Sequence, residues 1–150
     1  MSPVLVVTSP TPGGDGRAHI YVPDDHGVDE EAIPRGTVLL GHGAGGGVDD
    51  PDLQALTALT ERGWVVALVE QPWRVAGRRI AVAPPKLDEA ATAMLAVLGA
   101  DPFSLPRPWV LGGRSAGARV ATRLAGHAQA LCLIAFPLHP PAPVPPLTKM

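Results

Sequence analysis

Four short apolar runs, Thr37–Leu40, Trp64–Val69, Trp109–Leu111 and Ala130–Phe136, are separated by stretches whose apolar residues recur at helical spacing. The runs are continuous rather than alternating, which is the pattern of strands buried on both faces. Strands of this kind that alternate with helices form a mostly parallel sheet between helical layers, so the expected class is α/β, a three-layer sandwich. The helical stretches have identifiable ends. Asp49, Asp50 and Asp52 flank Pro51 at one start, with Leu53, Leu56 and Leu59–Thr60 following and Gly63 as the stop. Lys86–Leu98 and Ala116–Ala125 are the other two, the last closed by Gly126. Ahead of them, Val4–Thr8 and Ala18–Val22 read as an antiparallel hairpin around the turn residues 9–16, and Gln71–Pro85 reads as a loop.

Composition narrows the function classes. The chain has 150 residues and a formal net charge of −2, with 17% charged residues, which argues against nucleic-acid binding through bulk charge. A hydrophobic share of 46% is a globular load rather than a disordered one. The single cysteine, Cys132, excludes an internal disulfide, and the five histidines lack paired metal-ligand spacing, so neither metal nor cofactor is expected. No apolar run approaches the ~20 residues of a membrane span, and the amino end has no basic region of a signal peptide. The expected compartment is the cytoplasm, with no membrane partner. The 17 glycines and 18 prolines imply many turns. Acids crowd the first half of the chain, and none follows Asp101.

Two small-residue turns carry the chemistry. The first, Gly41-His42-Gly43-Ala44-Gly45-Gly46-Gly47, follows a strand. Gly41, Gly43 and Gly46 fit a dinucleotide fingerprint, with Glu70 as its acid. That motif needs a helix amino end aimed at the pyrophosphate, whereas here the helix starts near Pro51 among three carboxylates that repel phosphate. The alternative is an oxyanion loop of the kind found in esterases, whose free backbone N–H groups face a bound carbonyl. The second turn, Gly113-Arg114-Ser115-Ala116-Gly117, is G-x-S-x-G between a strand and a helix. Ser115 then sits on a sharp bend at the carboxyl edge of the sheet, a nucleophile elbow, and the expected oxyanion donors are Gly43, Ala44 and Ala116. The plain alternative is a serine N-cap.

A serine hydroxyl needs a base, and the base needs an orienting group. Downstream of Ser115 there are two histidines and no acid. His127 follows a helix stop at the far end of the sheet, which leaves His139 as the candidate base and Glu70 as the candidate acid. His42, Trp73, Arg78, Arg79 and Arg114 complete the candidate substrate-binding set, with Arg74 in the same loop. Arg114 can alternatively pair with an amino-terminal acid, and the loop arginines can simply be solvated.

The segments TVLLGHGAGGGVDDPDL, VALVEQPWRVAGRRIAVAPPKLDEA, VLGGRSAGARVA and LCLIAFPLHPP resemble, in order, the α/β-hydrolase-like proteins of the KANL3/Tex30 type, related to dienelactone hydrolases. The resemblance runs from about residue 17 to residue 141. It implies an α/β-hydrolase sheet with Ser115 as nucleophile and residues 42–46 in the oxyanion position. It also implies two further strands bearing an acid turn and a histidine turn, where this sequence has PAPVPPLTKM. The expected organisation is therefore an incomplete domain over residues 1–136, lacking the last strands, and a Pro-rich tail over 137–150. The expected function is hydrolysis of an ester or related acyl bond of a small molecule through an acyl-serine, with the triad incomplete. The alternative is a non-catalytic module that binds a partner or a small acid. A bare sheet edge would favour self-association.

Overall fold

The computed structural model describes residues 2–24 and 33–138. Its strands are β1 (Leu5–Thr11), β2 (Gly14–Tyr21), β3 (Thr37–Gly41), β4 (Val65–Glu70), β5 (Trp109–Arg114) and β6 (Ala130–Ile134). They form one sheet in the order β1-β2-β4-β3-β5-β6. β1 and β2 pair antiparallel, and β2 runs antiparallel to β4. β4, β3, β5 and β6 are mutually parallel. The mixed sheet with an antiparallel amino-terminal hairpin is the expected architecture.

The helices are α1 (Pro51–Leu56), α2 (Pro72–Val75), α3 (Pro84–Gly99) and α4 (Ala116–Arg123). α3 and α4 cover one face of the sheet, over Ala18, Ile20, Leu39, Ala67, Trp109 and Leu111. α1 and the turn after it cover the other, over Tyr21, Val38, Leu40, Val66 and Leu68. Successive residues of β3 and β4 thus feed opposite cores, which is why both strands read as unbroken apolar runs. Burying each such leucine contributes roughly 1.5–3 kcal/mol.

Several local expectations change. The turn of the hairpin is only Pro12–Gly13, with Thr11 opposite Gly14, because the residues around it pair as strand. Pro10 is tolerated there because β1 is an edge strand. The helix that starts at Pro51 becomes a 3₁₀ segment over Thr57–Arg62. The Thr57 hydroxyl donates to the Gln54 carbonyl at 2.6 Å and the Thr60 hydroxyl to the Thr57 carbonyl at 2.9 Å, which tightens the turn. The 71–85 loop contains α2, started by Pro72, and α3 begins two residues earlier than expected, at Pro84. β6 is not the buried strand its composition suggested: Leu131 and Leu133 are 39% and 40% exposed. Among the described residues β6 has only β5 as a strand neighbour. No described helix is long and apolar enough to cross a membrane.

Candidate functional site

The parallel pairing of β3 with β5 sets Gly41 opposite Gly113, so the two small-residue turns emerge side by side from adjacent strands. Their contact is backbone on backbone. A Cβ at Gly113 or at Gly117 would fall on the Gly41 carbonyl, and Gly113 also has φ +152°. Glycine is required at both positions for that approach.

Between these glycines, Ser115 has φ 53° and ψ −107°. A residue with a side chain is rarely found there, and the conformation costs about 1–3 kcal/mol. It is held by the backbone: Ser115 N–H donates to Ile134 O at 2.9 Å, and Ser115 O accepts from Arg119 N–H at 3.1 Å. Ser115 occupies the N-cap position of α4 but makes no capping bond with its side chain. Among the described residues nothing hydrogen-bonds its hydroxyl, and the residue is part-exposed. The serine N-cap reading therefore lacks the bond that defines it.

The first turn is organised by His42, which is 3% exposed. Gln71 N–H donates to its Nε2 at 3.0 Å. That bond makes Nε2 an acceptor, so the ring proton sits on Nδ1 and is donated to the Gly43 carbonyl at 2.9 Å. Gly46 N–H reaches the same carbonyl at 3.3 Å. The Gly43–Ala44 peptide is trans, so pinning the Gly43 oxygen turns the Ala44 N–H the opposite way. The N–H groups of Gly43 and Ala44 have no acceptor among the described residues. Ala116 N–H, in the first turn of α4, is likewise without one. Burial pushes the His42 pKa below its usual 6.5, against the opposing pull of the Gly43 carbonyl, Glu70 and Asp50, and Arg74 lowers it further. The ring stays neutral and packs edge-on against Trp73, with centroids 5.6 Å apart.

The remaining candidates separate. Arg114 Nε binds Asp52 Oδ2 at 2.8 Å, which ties the Ser115 turn to α1. Trp73 is buried. Arg74, Arg78 and Arg79 are exposed. Glu70 sits between Arg17 Nη1 at 3.7 Å and His19 Nε2 at 3.8 Å. Its strand lies two places from β5, roughly 10 Å in the sheet. His139 lies outside the described residues, as does the 139–150 tail. α1 begins at Pro51, four residues beyond the last glycine of the loop, so no helix amino end sits within the glycines as a dinucleotide site requires. Sequence reasoning missed the double bonding of His42. A histidine followed by a glycine in a loop gives no sign of which backbone groups will meet its ring.

An apolar cavity of about 40 Å³ lies between the sheet and the α3–α4 layer, and Gly43, Ala44 and Ala116 are part of its wall.

Comparison with known proteins bears on the family and the fold. The family model described as an alpha/beta hydrolase domain matches residues 34–146. Among solved structures, an α/β serine hydrolase homologue from Coxiella burnetii superposes with a TM-score of 0.70 at 19% identity, covering 91% of this chain and 65% of that one. A lidless α/β serine hydrolase from Xanthomonas campestris gives 0.73 at 21%, covering 91% and 63%. A thermostable carboxyl esterase from Bacillus coagulans gives 0.66 at 19%, covering 89% and 44%. The chain thus spans less than two thirds of the length of the structures it resembles, and its sheet has the α/β-hydrolase fold. No curated protein matches it in sequence.

Proposed function

The chain belongs to the alpha/beta hydrolase domain family, and we propose that it acts on an ester or related acyl bond of a small molecule through an acyl-serine at Ser115. The observation that carries this reading is the left-handed backbone at Ser115, φ 53°, between β5 and α4. A strained conformation is kept where the structure over-determines it, and such sites cluster at function. It supports reading this bend as a nucleophile elbow, with Gly43, Ala44 and Ala116 as the donors that would stabilise the oxyanion.

In this reading the Ser115 hydroxyl gives its proton to a base as Oγ bonds to the substrate's carbonyl carbon. The carbonyl π pair moves onto oxygen, beside the three N–H groups. The intermediate then collapses, the C–O bond to the alcohol breaks, and the departing alkoxide takes the proton from the base. Water repeats the sequence on the acyl-serine and releases the acid. His139 is the base this reading assigns. Glu70 would have to leave Arg17 and His19 to orient it. We place the chain, at the finer level, with the KANL3/Tex30 type, its domain over 1–136 and a tail over 137–150, in the cytoplasm. The exposed Leu131 and Leu133 on β6 support self-association, which light scattering tests; a monodisperse monomer argues against it.

A fluorophosphonate probe is expected to label Ser115, and Ser115→Ala is expected to abolish the label. Labelling that survives the substitution refutes the acyl-serine. The rival, a non-catalytic module that binds a partner or small acid, has one observation in its favour: no described residue hydrogen-bonds the Ser115 hydroxyl. A folded chain that no probe labels supports the rival.

A further inference from the structure

The cavity on the α3–α4 face of the sheet has no part in the reaction steps above, and its wall includes the three residues that carry the free N–H groups. Gly43, Ala44 and Ala116 are part of its wall. Its body is walled by Trp73, Leu87, Ala91, Leu95, Val120 and Leu124. No lysine, arginine, aspartate or glutamate lines it. The exposed arginines of the 74–79 loop are outside its wall. Its volume of about 40 Å³ accommodates about three water-sized spheres at ~10–15 Å³ each. His42 and Gln71 also line it, and Gln71 Oε1 and Trp73 Nε1 are buried without a hydrogen-bond partner among the described residues, but the rest of the wall is apolar and carries no charge, which favours an uncharged occupant.

We propose that this cavity is the acyl subsite and that it takes an unbranched, uncharged acyl tail of about two to four carbons. The inference rests on the acyl-serine reading. A carbonyl whose oxygen meets the N–H groups of Gly43, Ala44 and Ala116 lies against the wall of the cavity, so its tail has the apolar side chains of α3 and α4 beside it. Chain length is limited by volume. Charge is excluded because a carboxylate there would lose its water with no cation to replace it. Ala91, on α3, contributes only a methyl group to the wall, so a larger side chain there takes up cavity volume.

The test uses the full chain and p-nitrophenyl phosphonates that carry methyl, propyl, octyl or 2-carboxyethyl on phosphorus. Propyl is expected to label Ser115 fastest, with octyl and carboxyethyl slower by about tenfold or more, a difference of ~1.4 kcal/mol. Ala91→Phe should bring the propyl-to-methyl ratio close to one. Ala91→Val should give an intermediate ratio, and it serves if the larger side chain prevents folding, which circular dichroism reports. Octyl or carboxyethyl labelling as fast as propyl overturns the subsite. If no probe labels the chain, the acyl-serine reading fails instead, and the cavity is decided by magnetisation transfer between 1-butanol and the protein. Transfer that Ala91→Phe or Ala91→Val weakens supports the apolar site, and no transfer overturns it.

Discussion

The two turns that meet at the carboxyl edge of the sheet present their N–H groups by different physics. The 113–117 turn is held by backbone geometry. Two glycines let it press on Gly41, a strand bond to Ile134 fixes Ser115, and the strained φ is maintained by its surroundings. The 41–47 loop is held by one side chain, with His42 bridging the Gly43 carbonyl and the Gln71 N–H. A turn fixed by packing fails only when the packing fails. A loop fixed by an imidazole also responds to the imidazole's protonation.

The largest effect that separates the two is at the 113–117 turn. Gly117→Ala is expected to destabilise the chain by about 3 kcal/mol or more, measured by urea unfolding, because its Cβ meets the Gly41 carbonyl rather than a movable side chain. An effect below about 1 kcal/mol would mean that this contact is not what holds the turn. At the 41–47 loop, His42→Ala is expected to slow phosphonate labelling of Ser115 by about 10²-fold, the scale of one lost oxyanion donor. His42→Gln can keep a donor and an acceptor and should recover part of the rate. Equal losses in both variants would make the ring a packing element only.

Acid is expected to act on the loop through the histidine. The folded His42 pKa lies below 6.5, so the unfolded chain takes up the proton first as pH falls. Stability is then intact above about pH 6.5 and declines as pH drops toward the lowered folded value. His19, lowered mainly by burial against the opposing pull of Glu70, adds the same sign. Urea midpoints at about pH 7.5 and 5.5 should differ in the parent chain, and less in the double variant His19→Gln, His42→Gln. The smallest effect concerns the strain itself. Ser115→Gly should raise stability by about 1 kcal/mol while removing all labelling, since glycine accepts φ 53° without the penalty. A destabilised Ser115→Gly chain would show that the serine side chain, not the bend, is what the fold needs.

Much of this was legible in the residues. The run TVLL lies between a helical face above and below, so its continuous apolarity reported β3 correctly. The run ALCLI carries the same signal, yet β6 is half-exposed at the sheet edge. Composition records that a strand can be buried, whereas its neighbours decide whether it is. The start at Pro51 was legible because Pro and acids are local signals. The tightening at Thr57 was not, because it depends on hydroxyls that donate to carbonyls of their own turn. Arg114 was open between substrate and partner until Asp52 was found at 2.8 Å.

By itself, the chain of residues determined the layer order, the two small-residue turns and the position of Ser115 between a strand and a helix. Those follow from periodicity and from the steric limits of glycine and serine, which act over a few neighbouring residues. Only the tertiary structure decided that Gly41 faces Gly113, that His42 reaches Gln71, that Glu70 lies beside Arg17 and His19, and that Gly43, Ala44 and Ala116 share the wall of one apolar cavity. Each of these joins residues from different strands or loops, and such pairings exist only once the register of the sheet is set.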